Sequence, residues 1–202
     1  MKFSCNQQIL SKALNTVSKA VTSRTTIPIL KGILLEVDDS NVLTLSASDL
    51  DLSIEKRIDI SAEEPGAVVV SAKLFSDIIR KLPNEEIQIE EQENNVIVIK
   101  CLASEFTIVG QPADEFPNIG EINEEKKLSL EKDILKEMIK KTSFAASIDE
   151  SKGIIVGVLV EMEEDSLNMV ALDGFRMAIT REVMKNEEKK KIIIAARILN
   201  EI

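Results

Sequence analysis

Apolar and polar residues alternate in the same order at two places in this chain. Gly32 to Arg57 reads GILLEVDDSNVLTLSASDLDLSIEKR, and Gly157 to Arg181 reads GVLVEMEEDSLNMVALDGFRMAITR. Each begins with Gly, a run of apolar residues and a Glu, so that Gly32, Leu34 and Glu36 correspond to Gly157, Leu159 and Glu161. The acidic turn that follows is one residue shorter in the second copy. Beyond it, Leu43, Leu45, Ala47, Asp49 and Arg57 fall on Leu167, Met169, Ala171, Asp173 and Arg181. A two-residue apolar period flanked by Asp, Ser and Asn predicts antiparallel strands joined by tight turns.

The correspondence extends outward. KFSCNQQIL at Lys2–Leu10 matches KLSLEKDIL at Lys127–Leu135, and VVVSAKLFSDI at Val68–Ile78 matches IIIAARILNEI at Ile192–Ile202, with Lys73 against Arg197. A self-similar unit of about 124 residues is a domain-sized duplication. The second copy stops within a predicted helix, so the spacing predicts a truncated chain.

Within the first copy, Lys2–Cys5 reads as a short strand. A helix runs from Asn6 or Gln7 to about Val21, with Ile9, Leu10, Ala13, Leu14, Val17 and Val21 at helical spacing. Ser23–Thr26 is a polar loop, and Ile27–Leu30 is expected to be extended, because Pro28 holds Ile27 out of the α region. After the repeated strands, Glu64-Pro65-Gly66 turns the chain into a strand at Ala67–Val70. A second helix over Ala72–Leu82 turns Leu74, Phe75, Ile78 and Ile79 inward, and Pro83 ends it. Strands follow at Ile87–Glu91, Val96–Leu102 and Phe106–Gly110. The second copy opens with a strand at Lys127–Leu130 and a helix at Glu131–Thr142, with Ile134, Leu135, Met138 and Ile139 inward. Few helices and many strands make the fold class α+β, each module an antiparallel sheet with two helices on one face. The non-periodic segment QPADEFPNIGEINEEKK divides the chain into residues 1–122 and 123–202.

The net charge of −10 argues against nucleic acid at long range, yet screening over about 8 Å lets a local basic surface prevail at contact. Lys12 and Lys19, then Lys73, Arg80 and Lys81, then Lys132, Lys136 and Lys140 put basic residues on corresponding helices of both copies. With no Trp or Tyr, base stacking is not the strategy. No apolar run is long enough to span a membrane. Cys5 and Cys101 lack metal spacing and read as buried, reduced, intracellular thiols.

Nothing reads as catalytic. The absence of histidine removes the usual base and ligand, and no phosphate-binding glycine loop is present. Asp49 and Asp173 read as turn formers, and Cys5 has no base beside it. The second copy differs from the first most at Leu172-Asp173-Gly174-Phe175-Arg176-Met177, where Gly, Phe and Arg replace acidic and aliphatic residues. That combination suggests a surface groove for an apolar peptide side chain; the competing reading puts Phe175 in the core.

Together, MKF at the start, Arg24 with Thr26-Ile-Pro-Ile-Leu30, Glu64-Pro-Gly66 before a Val strand, Phe116-Pro117-Asn118 and Asp173-Gly-Phe-Arg176 resemble the bacterial sliding clamp family, the β subunit of DNA polymerase III. The resemblance runs through the whole chain. It implies duplicated DNA-clamp modules, here the first and most of the second of three, in a head-to-tail homodimeric ring. Such a ring encircles double-stranded DNA without sequence preference, with helices lining the hole. It implies a cytoplasmic, non-catalytic processivity factor without cofactor or metal, tethering the replicative polymerase and clamp-loader subunits through short peptides. Carried over by position, Arg24, Lys73, Arg80 and Lys152 face DNA. The peptide groove uses Ile155, Leu172, Gly174, Phe175, Arg176 and Met177. The ring interface uses Leu74, Ala103, Glu105, Phe106 and Ile108. The loop Asp149–Ile154 departs from the polar and aromatic residues that relatives often carry there. The alternative is an acidic scaffold or ligand-binding protein built on the same duplication.

Overall fold

Lys2–Asn6 forms the first strand, β1, and Asn6 ends it by accepting the N–H of Gln8 at 2.9 Å, which starts helix α1 at Gln7–Val17. The computed structural model describes residues 1–22, 25–119, 129–186 and 188–202. Regular α-helix stops at Val17 rather than Val21: Thr16 turns its hydroxyl back onto the Lys12 carbonyl at 3.1 Å, and Ser18–Ala20 tightens into a 3₁₀ turn. Ile27 is extended, as a residue before proline must be. Pro28–Lys31, however, winds into a 3₁₀ turn instead of continuing extended, because proline's fixed φ suits a first helical position.

The repeated strands are β2 (Gly32–Val37), β3 (Val42–Ser48) and β4 (Ser53–Asp59). They are followed by β5 (Ser61–Glu64), β6 (Gly66–Ser71), α2 (Ala72–Lys81), β7 (Glu86–Gln92), β8 (Val96–Cys101), β9 (Ser104–Val109) and β10 (Gln111–Pro112). They make two antiparallel five-stranded sheets, ordered β5-β1-β7-β8-β9 and β10-β6-β2-β3-β4. Period-2 patterning assigns a face to each residue but does not divide strands between sheets, so the second sheet is a finding of the structure. Phe3, Ile87 and Ile99 of one sheet, Leu35, Leu45 and Val68 of the other, Leu14 of α1 and Phe75 of α2 are all buried in one core. Gln7 ties the helices together by donating to the Ile79 carbonyl at 2.7 Å. Leu74, expected inward, is 49 % exposed; Phe75 and Ile79 carry the buried face of α2.

The chain divides into units Met1–Glu121 and Ile122–Ile202. In the second, α3 (Lys132–Thr142) is followed by β11 (Gly157–Glu163), β12 (Ser166–Leu172), β13 (Met177–Val183), β14 (Lys190–Ala195) and α4 (Ala196–Leu199). The sheet order β13-β12-β11-β14 reproduces β4-β3-β2-β6. Register repeats as well, Leu35 opposite Val68 in the first unit and Val160 opposite Ile192 in the second. A Cβ added to Gly32 would meet Val69, and one added to Gly157 would meet the matching Ile193, so both glycines permit the same close approach. Of the strand expected at Lys127–Leu130, Lys127 and Leu128 lie outside the described residues, while Ser129 and Leu130 are not in a strand. Their first-unit counterpart β1 is held by β5 and β7, partners that the second unit lacks among its described residues.

Candidate functional site

The turn between β12 and β13 is built by one carboxylate. Asp173 Oδ1 accepts the backbone N–H groups of Phe175 at 2.9 Å and Arg176 at 3.1 Å, and Oδ2 accepts Arg176 Nε at 3.0 Å. The Phe175 amide is the chief reason that the Asp173 carboxyl lies below its usual range; the Arg176 amide and side chain add to it, against a partial desolvation. Asp49 does the same work in the first unit, accepting Asp51 N–H at 3.1 Å and Leu52 N–H at 2.8 Å. Both aspartates are turn formers, occupied by their own loops. Cys5 offers no nucleophile either: burial, with a smaller contribution from Glu86, pushes its thiol up to about 12.

Gly174 takes φ +95° in this turn, and the turn sets Phe175 in solvent, 95 % exposed. The core alternative for Phe175 is therefore overturned. Three loops converge here. Ile155, half-buried, is fixed by the Ser147 N–H on its carbonyl at 2.9 Å, and half-buried Leu172 and exposed Met177 flank the turn. Phe144 joins them at 57 % exposure through Arg176, and Ile148 and Ile154 are exposed on the loops before β11 at 99 % and 73 %; sequence reasoning missed all three. The available signal was that Phe144 falls off the inward stripe of α3. Two cations sit over the rings. Lys152 Nζ is 5.9 Å from the Phe175 centroid, and Arg176 Cζ is 5.6 Å from that of Phe144. Lys152, expected against DNA, is thus placed at the aromatic cluster.

The basic helix residues are exposed: Lys12 on α1 and Lys19 on the 3₁₀ turn after it, Lys73, Arg80 and Lys81 on α2, Lys132, Lys136 and Lys140 on α3. Arg80 is paired one turn back with Asp77 at 2.6 Å. Arg24 lies outside the described residues. A third candidate surface is strand β9, which among the described residues pairs with β8 alone and so forms the edge of its sheet. Ala103, Glu105 and Phe106 are exposed along it, as is Leu74 on α2, but Ile108 is 6 % exposed and belongs to the core. Ile108 pairs with buried Ile97 of β8 and packs in the core of the first unit, so its side chain is not offered at this edge. Exposed Leu102 and Val109 supply apolar surface there instead. No His, Cys, Asp and Glu cluster suited to a metal occurs among the described residues, and no helix is long and apolar enough to cross a membrane.

Residues 1–120 match the family described as DNA polymerase III beta subunit, N-terminal domain, and residues 129–202 its central domain. The chain is 36 % identical over 214 residues to the beta sliding clamp of Halalkalibacterium halodurans and 34 % over 212 residues to that of Bacillus subtilis. Each alignment covers 100 % of this chain and 56 % of the relative, so the chain spans about half the length of the curated relatives it matches. Among solved structures, the Bacillus subtilis DNA polymerase sliding clamp superposes with a TM-score of 0.94 at 34 % identity, over 100 % of this chain and 55 % of that one. The β subunit of the Streptococcus pyogenes DNA polymerase gives 0.92 at 33 %, with the same coverage.

Proposed function

The chain belongs to the DNA polymerase III β-subunit family, and from that membership we propose that it works as part of a DNA polymerase processivity factor in the cytoplasm. In this reading it contributes to a homodimeric ring around duplex DNA, has no chemistry of its own, and holds the replicative polymerase on its template. The observation that carries the reading is that the first and central domains of the family match the two halves of the internal duplication in order. Arg24, Lys73 and Arg80 supply phosphate contacts without base readout, which is what a ring that slides requires. The β9 edge, with Leu74, Ala103, Glu105 and Phe106, serves ring closure. The surface around Ile155, Leu172, Gly174, Phe175, Arg176 and Met177 takes short peptides of polymerase and clamp-loader subunits.

Topological retention tests this. The full-length protein, loaded onto a nicked circular duplex, should stay bound through a salt wash and leave once the circle is linearised. Charge reversal at Arg24 and Arg80 together should shorten its residence on the circle. Equal retention on linear and circular DNA would sink the proposal.

A further inference from the structure

We propose that Asp77 and Glu137 are resident counter-ions on the basic helices, and that they keep the phosphate contacts of Arg80 and Lys141 weak enough to exchange during sliding. This rests on the DNA-contacting role proposed above and adds how that contact is regulated.

Three observations support it. First, the cations on these helices fall into two classes. Arg80 donates to the Asp77 carboxylate at 2.6 Å, and Lys141 Nζ meets Glu137 Oε1 at 2.6 Å. Lys73 and Lys81 on α2, and Lys136 and Lys140 on α3, have no carboxylate within ion-pair distance among the described residues. A phosphate reaches these lysines directly, whereas at Arg80 or Lys141 it must displace a carboxylate. Second, each acid stands among the cations that it opposes. Spacings of three and four put Lys73, Asp77 and Arg80 on one face of α2, and on α3 Glu137 flanks the ridge of Lys136 and Lys140. An acid so placed repels the phosphate as well as occupying the donor. The interleaving recurs in the duplication, since Lys73 and Asp77 correspond to Arg197 and Glu201. Third, helix stability does not account for the pairs. All four side chains are at least 42 % exposed, and an exposed pair at this spacing adds little to a helix.

The test follows single fluorescent molecules of the full-length protein, loaded onto a stretched duplex, as they diffuse along it. Asp77→Ala with Glu137→Ala should slow diffusion about threefold at low salt, the size that exposed charge pairs support. The difference should shrink as added salt screens the contacts. Glu55→Ala with Glu163→Ala is the control. It breaks two ion pairs at the sheets, Glu55–Arg57 at 2.9 Å and Glu163–Lys189 at 3.3 Å, and changes the net charge equally. It should leave diffusion unchanged. Native diffusion in the helix variant, or equal slowing in the control, overturns the inference. Reversing Lys73 and Arg80 to Glu tests the reading beneath it. Diffusion unchanged by that reversal would mean that α2 does not contact DNA, and the DNA-contacting role would fall and take the inference with it.

Discussion

Leu50 and Gly174 occupy the same turn position in the two copies and take the same backbone, φ +77° and φ +95°. For glycine this region is free of the Cβ clash; for leucine it costs about 1–2 kcal/mol. No atom lies within 4 Å of a Cβ added to Gly174, so any penalty for a side chain there is conformational. Gly174→Ala should therefore destabilise the second unit by about 1 kcal/mol, and Leu50→Asn should stabilise the first by somewhat less, both read from urea midpoints at constant slope. The aspartate preceding each position was legible in sequence as a turn former, because a short carboxylate that can bond to the amides two and three residues on is a local property. That Leu50 would adopt a left-handed backbone was not legible, since its own preference opposes it and the flanking strand register imposes it.

Among elements, the duplication was legible to the residue in β2, β3 and β6 and their counterparts, because buried faces fix register. What the pattern could not show is how the outer face of each sheet is covered. Val69 and Ile29 are 1 % and 7 % exposed, while their counterparts Ile193 and Ile154 are 51 % and 73 % exposed. The difference comes from Phe116 and Ile119, which pack with Ile29, Leu30 and Val69 into a small second cluster, led there by the pairing of β10 with β6. These residues lie in the segment read as a domain boundary, outside any period, so nothing in the alternation announced their role. Phe116→Ala should cost the first unit about 3 kcal/mol, the low end for deleting a buried phenyl ring, because this cluster is shallow. A denaturation midpoint indistinguishable from the native chain's would show that the segment only rests on the sheet.

Across the whole molecule, 35 acidic residues outnumber 25 basic ones, yet Lys73, Arg80 and Lys81 stand together on α2, and Lys132, Lys136, Lys140 and Lys141 lie on α3. The total governs encounter at long range and these local clusters govern contact, because the two act on either side of a Debye length of about 8 Å. Duplex DNA should therefore bind the chain weakly and without sequence preference. Its log affinity should fall with log salt by about 0.9 for every phosphate neutralised. Reversing Lys73 and Arg80 to Glu removes up to two such contacts and should flatten that slope by about 1.8. The Arg80–Asp77 pair at 2.6 Å makes a sharper demand, since Asp77 occupies a guanidinium nitrogen that a phosphate would use. Asp77→Ala frees that nitrogen and removes a like-charged neighbour of the phosphate, so it should raise affinity and steepen the slope. Fluorescence anisotropy on one labelled duplex across a salt series measures all three proteins. Identical slopes for all three would mean that α2 does not face the phosphates and that the DNA-contacting surface lies elsewhere on the chain.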